Sequence, residues 1–88
     1  MEAWRVEFVR SAQREFSKLP RRDRARILRF IDERILAGNP RRVGHPLSGD
    51  FAGLWSYRVG DHRLIAKIED RIVTVLILRV GNRREVYR

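Results

Sequence analysis

The fold is decided by residues 54–67: Leu54-Trp55-Ser56-Tyr57-Arg58-Val59-Gly60-Asp61-His62-Arg63-Leu64-Ile65-Ala66-Lys67. This stretch predicts two strands joined at Gly60-Asp61, where glycine supplies the positive φ of a type II′ hairpin turn. A two-residue loop sets Tyr57 opposite Leu64, Arg58 opposite Arg63 and Val59 opposite His62. Period-2 alternation then puts Trp55, Tyr57, Val59, Leu64, Ala66 and Ile68 on one apolar face. Ser56, Arg58, Arg63, Ile65 and Lys67 fall on the other. Facing arginines repel, so their pairing lowers stability modestly. The hairpin reads as a sheet that packs on one side and meets an anion on the other.

Downstream, Glu69-Asp70-Arg71 reads as a solvated turn. Ile72 to Val80 is apolar at nearly every position, as a central strand buried on both sides requires. Gly81 is expected to break it, before the chain ends Asn82-Arg83-Arg84-Glu85-Val86-Tyr87-Arg88. Upstream, Arg41 to Phe51 is a basic, glycine-containing loop of the length that in small domains is often functional. Before it lies a helical hairpin. Ser11 is expected to cap the first helix, with Glu15 in its early turns and Ala12, Phe16 and Leu19 as its stripe. Pro20 ends that helix and opens the next, Arg21 to Ala37, whose stripe is Ile27, Leu28, Ile31 and Ile35. Gly38 should give it a left-handed cap, with Asn39-Pro40 preventing continuation. Trp4 to Phe8 alternates as a short strand. The order is βααβββ, an α+β fold with the helical hairpin on one face of a small, mostly antiparallel sheet.

The chain has 88 residues, which fits one domain spanning 1–88. There is no cysteine, so disulfides, thiolate catalysis and cysteine-based zinc are excluded. With His45 and His62 as the only histidines, neither a protein-built metal site nor a cofactor is expected. No apolar run reaches the roughly 20 residues of a membrane span. The start lacks the apolar core of a signal peptide, so a cytoplasmic location is expected. Twenty Lys and Arg against eleven Asp and Glu give a net charge of +9. Apart from Lys18 and Lys67, every basic residue is arginine. A GC-rich genome would favour arginine codons but does not account for the net surplus. That surplus points to a polyanion, either nucleic acid or an acidic protein.

The strongest site candidates are Arg58 and Arg63, placed side by side by the hairpin, with the Arg83-Arg84 pair delivered beyond the last strand. Convergent cations of this kind suit a phosphate. Tyr87 is either a packing residue or a phenol whose acidity nearby arginines would raise toward acid/base use. His62, on the apolar side of the hairpin tip, reads as structural. His45, in the basic loop, is open to substrate contact.

Residues 46–65, Pro-Leu-Ser-Gly-Asp-Phe-Ala-Gly-Leu-Trp-Ser-Tyr-Arg-Val-Gly-Asp-His-Arg-Leu-Ile, and 75–88, Val-Leu-Ile-Leu-Arg-Val-Gly-Asn-Arg-Arg-Glu-Val-Tyr-Arg, closely resemble the RelE/ParE superfamily of type II toxin–antitoxin toxins. The likeness is strongest to its RelE-like branch. It extends over essentially the whole chain, including the Ala12, Phe16, Leu19-Pro20 helix start. The resemblance implies a microbial-RNase-like fold and a metal-independent endoribonuclease that cleaves mRNA in the ribosomal A site and is neutralised by a cognate acidic antitoxin, expected from an upstream gene. By position, Arg63 would hold the scissile phosphate, Arg83 would stabilise the transition state or leaving group, and Tyr87 would be general base or stacking platform. Arg58, Arg84, Lys67, Arg41, Arg42 and His45 are the accompanying candidate RNA contacts. Relatives carry lysines near positions 54 and 56, where this chain has Leu54 and Ser56. Many place a histidine where Asn82 stands, so weakened catalysis or a toxin that mainly binds its antitoxin is an alternative. ParE-like inhibition of DNA gyrase on the same fold is another.

Overall fold

The Gly60-Asp61 hairpin forms with the expected register: Tyr57 pairs with Leu64, Arg58 with Arg63 and Val59 with His62. Gly60 has φ +62° while Asp61 keeps a negative φ, the pattern of a type II′ turn. The computed structural model describes residues 3–82; Arg83, Arg84 and Tyr87 lie outside them. Strands β1 (Arg5–Phe8), β2 (His45–Pro46), β3 (Trp55–Val59), β4 (His62–Glu69) and β5 (Thr74–Asn82) form one sheet in the order β1-β5-β4-β3-β2. Only β1 and β5 run parallel; the other neighbours are antiparallel. Helices α1 (Arg10–Ser17) and α2 (Arg21–Phe30) connect β1 to the rest. No helix among the described residues is long and apolar enough to cross a membrane.

The apolar face of the hairpin is the one the helices cover. Tyr57, Val59, Leu64 and Ala66 join Val75, Ile77 and Val80 of β5 and Ala12, Ile27, Ile31 and Ile35 of the helices in one core. Ile77 and Val80 are three residues apart, yet both face inward. A bulge permits this: Ile65 pairs with Arg79 and Ala66 with Ile77, leaving Leu78 as the extra residue. Tyr57 is fully buried, and its hydroxyl donates to the Pro40 carbonyl at 2.8 Å. Its ring is also why position 44 is glycine. A Cβ there would lie 2.9 Å from the Tyr57 Cε1.

Several local expectations are corrected. The 41–51 loop contains β2, which adds a fifth strand by pairing His45 with Ser56 and Pro46 with Trp55. Ser11 does not cap α1; Val9 precedes that helix with extended backbone and no side-chain cap. Gly38 does not adopt a positive φ. Instead α2 continues as a π-helical stretch, Ile31–Leu36. The reason lies in the isoleucines at 27, 31 and 35. Four-residue steps drift by about +40° around an α-helix and by roughly −30° around a π-helix. One step of each keeps all three against the sheet. Gly81 does not end β5 either, since pairing runs on to Asn82.

Candidate nucleic-acid interface

Away from the helices, the register lines up two rows of residues across the sheet. One contains His45, Ser56, Ile65 and Arg79; the other contains Arg58, Arg63 and Gly81. Arg63 therefore has a second arginine on one side and a residue without a side chain on the other. Its Nη1 donates to the Ser56 hydroxyl at 3.0 Å. Ser56 is fully buried and Ile65 nearly so, because the long arginine side chain lies along the sheet. The Arg63 Nε is shielded from solvent and has no acceptor. Arg58 is exposed. Among the described residues, neither arginine is paired with a carboxylate.

The other candidate cations differ. Arg41 makes a two-pronged ion pair with Asp70, at 2.9 and 2.6 Å. Its guanidinium also sits 5.8 Å from the centre of the Trp55 ring. The hydrogen bond from Arg41 holds the Asp70 carboxyl below the usual aspartate range and raises Arg41 in turn. Lys67 is 2.9 Å from Glu69. The expected solvated turn thus supplies two counter-ions. Arg42 and His45 are exposed. His62 lies with its Nε2 3.3 Å from Asp23, tying the hairpin tip to α2, in keeping with a structural role. Burial pushes the Tyr57 phenol up to about 12, against a smaller opposing effect of Arg41, so it is no base at neutral pH.

Sequence reasoning missed Glu15. It does not serve the α1 dipole; it turns to β5. Backbone pairing along that edge of β5 reaches the bond from Val9 N–H to the Ile77 carbonyl, where α1 begins. The Glu15 carboxylate continues it by accepting the Val80 N–H at 2.9 Å and the Arg79 Nε at 3.1 Å. An acidic residue on a charged helix carries no sequence mark of this duty. Ser56 was likewise noted only as standing where relatives keep a lysine, not as the anchor of Arg63.

The surface can thus grip an anion through Arg63 and Arg58, and arginine cannot exchange a proton. Among the described residues there is no cluster of His, Cys, Asp or Glu able to hold a metal ion.

Comparison with known proteins agrees with this fold. Residues 6–87 match the family described as the ParE toxin of type II toxin–antitoxin systems, parDE. The chain belongs to the RelE/ParE superfamily of type II toxin–antitoxin toxins. Within it, the similarity runs to RelE-like members: 42% identity over 83 residues to toxin RelG of Mycobacterium tuberculosis, covering 94% of each chain. Toxin RelE of the same organism is 34% identical over 97% of this chain and 87% of its own. The crystal structure of the M. tuberculosis RelBE2 toxin–antitoxin complex holds a chain that is 39% identical and superposes with a TM-score of 0.85, covering 93% of this chain and 100% of that one.

Proposed function

We propose that this toxin is a metal-independent endoribonuclease that cleaves mRNA in the ribosomal A site and is neutralised by a cognate acidic antitoxin. The observation that carries the reading is the arginine pair at the hairpin, free of carboxylate partners among the described residues, with Arg63 anchored by a neutral hydroxyl. A fixed guanidinium grips phosphate through a planar fork and stabilises charge that develops on its oxygens. In the proposed reaction the ribose 2′-oxygen attacks the adjacent phosphorus and the bond to the 5′-oxygen breaks. This leaves a 2′,3′-cyclic phosphate and a 5′-hydroxyl. Arg63 holds the phosphate and Arg58 supports it. Arg83 and Tyr87 join them by resemblance, and Arg42 and Arg84 contribute further RNA contacts, while Arg41 and Lys67, also expected as contacts, are held by Asp70 and Glu69. Leu54 and Ser56 in place of lysines make slow cleavage the expected behaviour.

Primer extension on a translated message after induction tests the reading. Cuts within codons are expected; intact message overturns it. The family match described as ParE favours a second reading, inhibition of DNA gyrase. Intact message together with broken or incompletely supercoiled plasmid would support that one. Antitoxin binding over the cationic face should weaken as salt rises.

A further inference from the structure

In the reaction proposed above, the Arg58 and Arg63 face would hold the phosphate and still need a proton acceptor, and β2 carries an imidazole. We propose that His45 is the acid/base residue of this site; the inference rests on the ribonuclease reading above. His45 pairs in register with Ser56, so both side chains share the face away from the helices. Directly opposed residues in a sheet have Cβ atoms roughly 5 Å apart. Ser56 in turn holds the Arg63 guanidinium at 3.0 Å. An exposed imidazole thus stands next to the residue that anchors the phosphate-binding arginine. The other histidine, His62, pairs across to Val59 and is engaged by Asp23. His45 is therefore the one imidazole on this face.

Most of the charged groups on the elements neighbouring His45 are cationic or neutralised. Arg42 precedes it in the loop, Arg58 comes from β3 and Arg63 from β4. Lys67 is matched by Glu69, Arg41 by Asp70 and Arg79 by Glu15. Among the described residues His45 forms no ion pair; Asp50 follows it in the loop after β2. In the reaction, His45 takes the proton of the 2′-hydroxyl as the new oxygen–phosphorus bond forms. The electron pair of the breaking bond leaves on the 5′-oxygen, which takes a proton from water, and the imidazolium releases its proton to solvent. Tyr87 is then left to stack on a base rather than to move a proton.

The test is single-turnover cleavage of a defined message on programmed ribosomes from pH 5.5 to 8.5, comparing wild type with His45→Gln. Binding of a non-cleavable 2′-deoxy message by the same ribosomes is measured in parallel. Wild type should show an inflection in its pH–rate profile across this range. His45→Gln should lose about 100-fold in rate and the inflection with it, while analogue affinity and melting temperature stay unchanged. Cleavage by His45→Gln within about threefold of wild type, with the inflection retained, overturns the inference and leaves the ribonuclease reading standing. An equal loss in rate and in analogue affinity makes His45 a binding contact and also overturns it. If wild type leaves the message intact at every pH, the ribonuclease reading itself fails and the inference falls with it.

Discussion

The region around Arg41 and the region around Arg63 treat the same side chain in opposite ways. Arg41 sits in the loop before β2, exposed, yet both prongs of its fork are taken by Asp70 and its face lies toward Trp55. Arg63 is less exposed, stands opposite another arginine, and has a serine hydroxyl where Arg41 has a carboxylate. A matched guanidinium ties the chain to itself, whereas an unmatched one held in place is available to a ligand. The same division holds elsewhere. Glu15 with Arg79 and Val80, and Tyr57 with Pro40, are matched groups, while Arg58 with Arg63 is not. Matched groups should therefore matter to stability and unmatched ones to activity.

The largest expected effect comes from setting Arg63→Ala against Arg41→Ala. Losing the anchored guanidinium should cost about 10²–10³-fold in the proposed cleavage of a translated message. Unfolding in urea should be nearly unchanged, because a repulsive pairing with Arg58 is relieved. Arg41→Ala should stay within a few-fold in rate. Equal losses in the two variants would break the comparison.

Next comes pH. The Tyr57 phenol is raised to about 12 by burial, above its value of about 10 in an unfolded chain. A raised folded value means its contribution is complete below pH 10 and is lost as pH climbs from 10 towards 12. The loss should approach 2–3 kcal/mol. Tyr57→Phe should flatten this limb of the stability curve, at a cost of about 1 kcal/mol near neutrality for the hydrogen bond to Pro40. Urea midpoints at pH 8 and 11 for both proteins provide the check. Parallel curves would mean that burial does not hold the phenol neutral.

Glu15→Ala should follow, at about 1–2 kcal/mol in urea unfolding, since it leaves the Val80 N–H without its acceptor. The figure is modest because the carboxylate is part exposed and its ion pair with Arg79 is screened by solvent. A variant as stable as wild type would show that Glu15 merely occupies the edge of β5.

These contrasts also explain what could be read from the sequence. The hairpin was legible to the residue, because Gly60-Asp61 fixes the turn and alternation fixes the faces. The helical stripe was legible in part: Ile27, Ile31 and Ile35 repeat at near-helical spacing and are buried, whereas Leu28, expected with them, is exposed; the π-helical stretch that keeps the three aligned depends on the sheet beneath. β2 was not legible, since two residues carry no period and their pairing exists only once β3 is present. Nor was the division between matched and unmatched arginines. Arg41 and Asp70 are 29 residues apart, and nothing local in either says that they meet. The arginines of the hairpin were legible because their shared fate is decided by a two-residue turn.

The smallest effect is the sharpest test of the distinction. Asp70→Asn removes the counter-ion of Arg41 and keeps the shape of the side chain. Both groups are exposed, so the change in stability should fall within the scatter of ordinary surface substitutions. With its folded value depressed by Arg41, Asp70 adds whatever it adds above the unfolded carboxylate value, and loses it as pH falls through the depressed one. The informative readout is RNA binding. Freed from Asp70, Arg41 joins Arg58 and Arg63 as a further unmatched guanidinium, still close to the Trp55 ring. If availability rather than mere charge makes an arginine a phosphate contact, the logarithm of affinity for single-stranded RNA should fall more steeply with the logarithm of salt. The slope should change by roughly 0.7, the share of one added phosphate contact. Arg41→Ala in the same background should return the slope to its wild-type value. An unchanged slope in Asp70→Asn would mean that position on the fold, and not the missing carboxylate, separates Arg41 from Arg63.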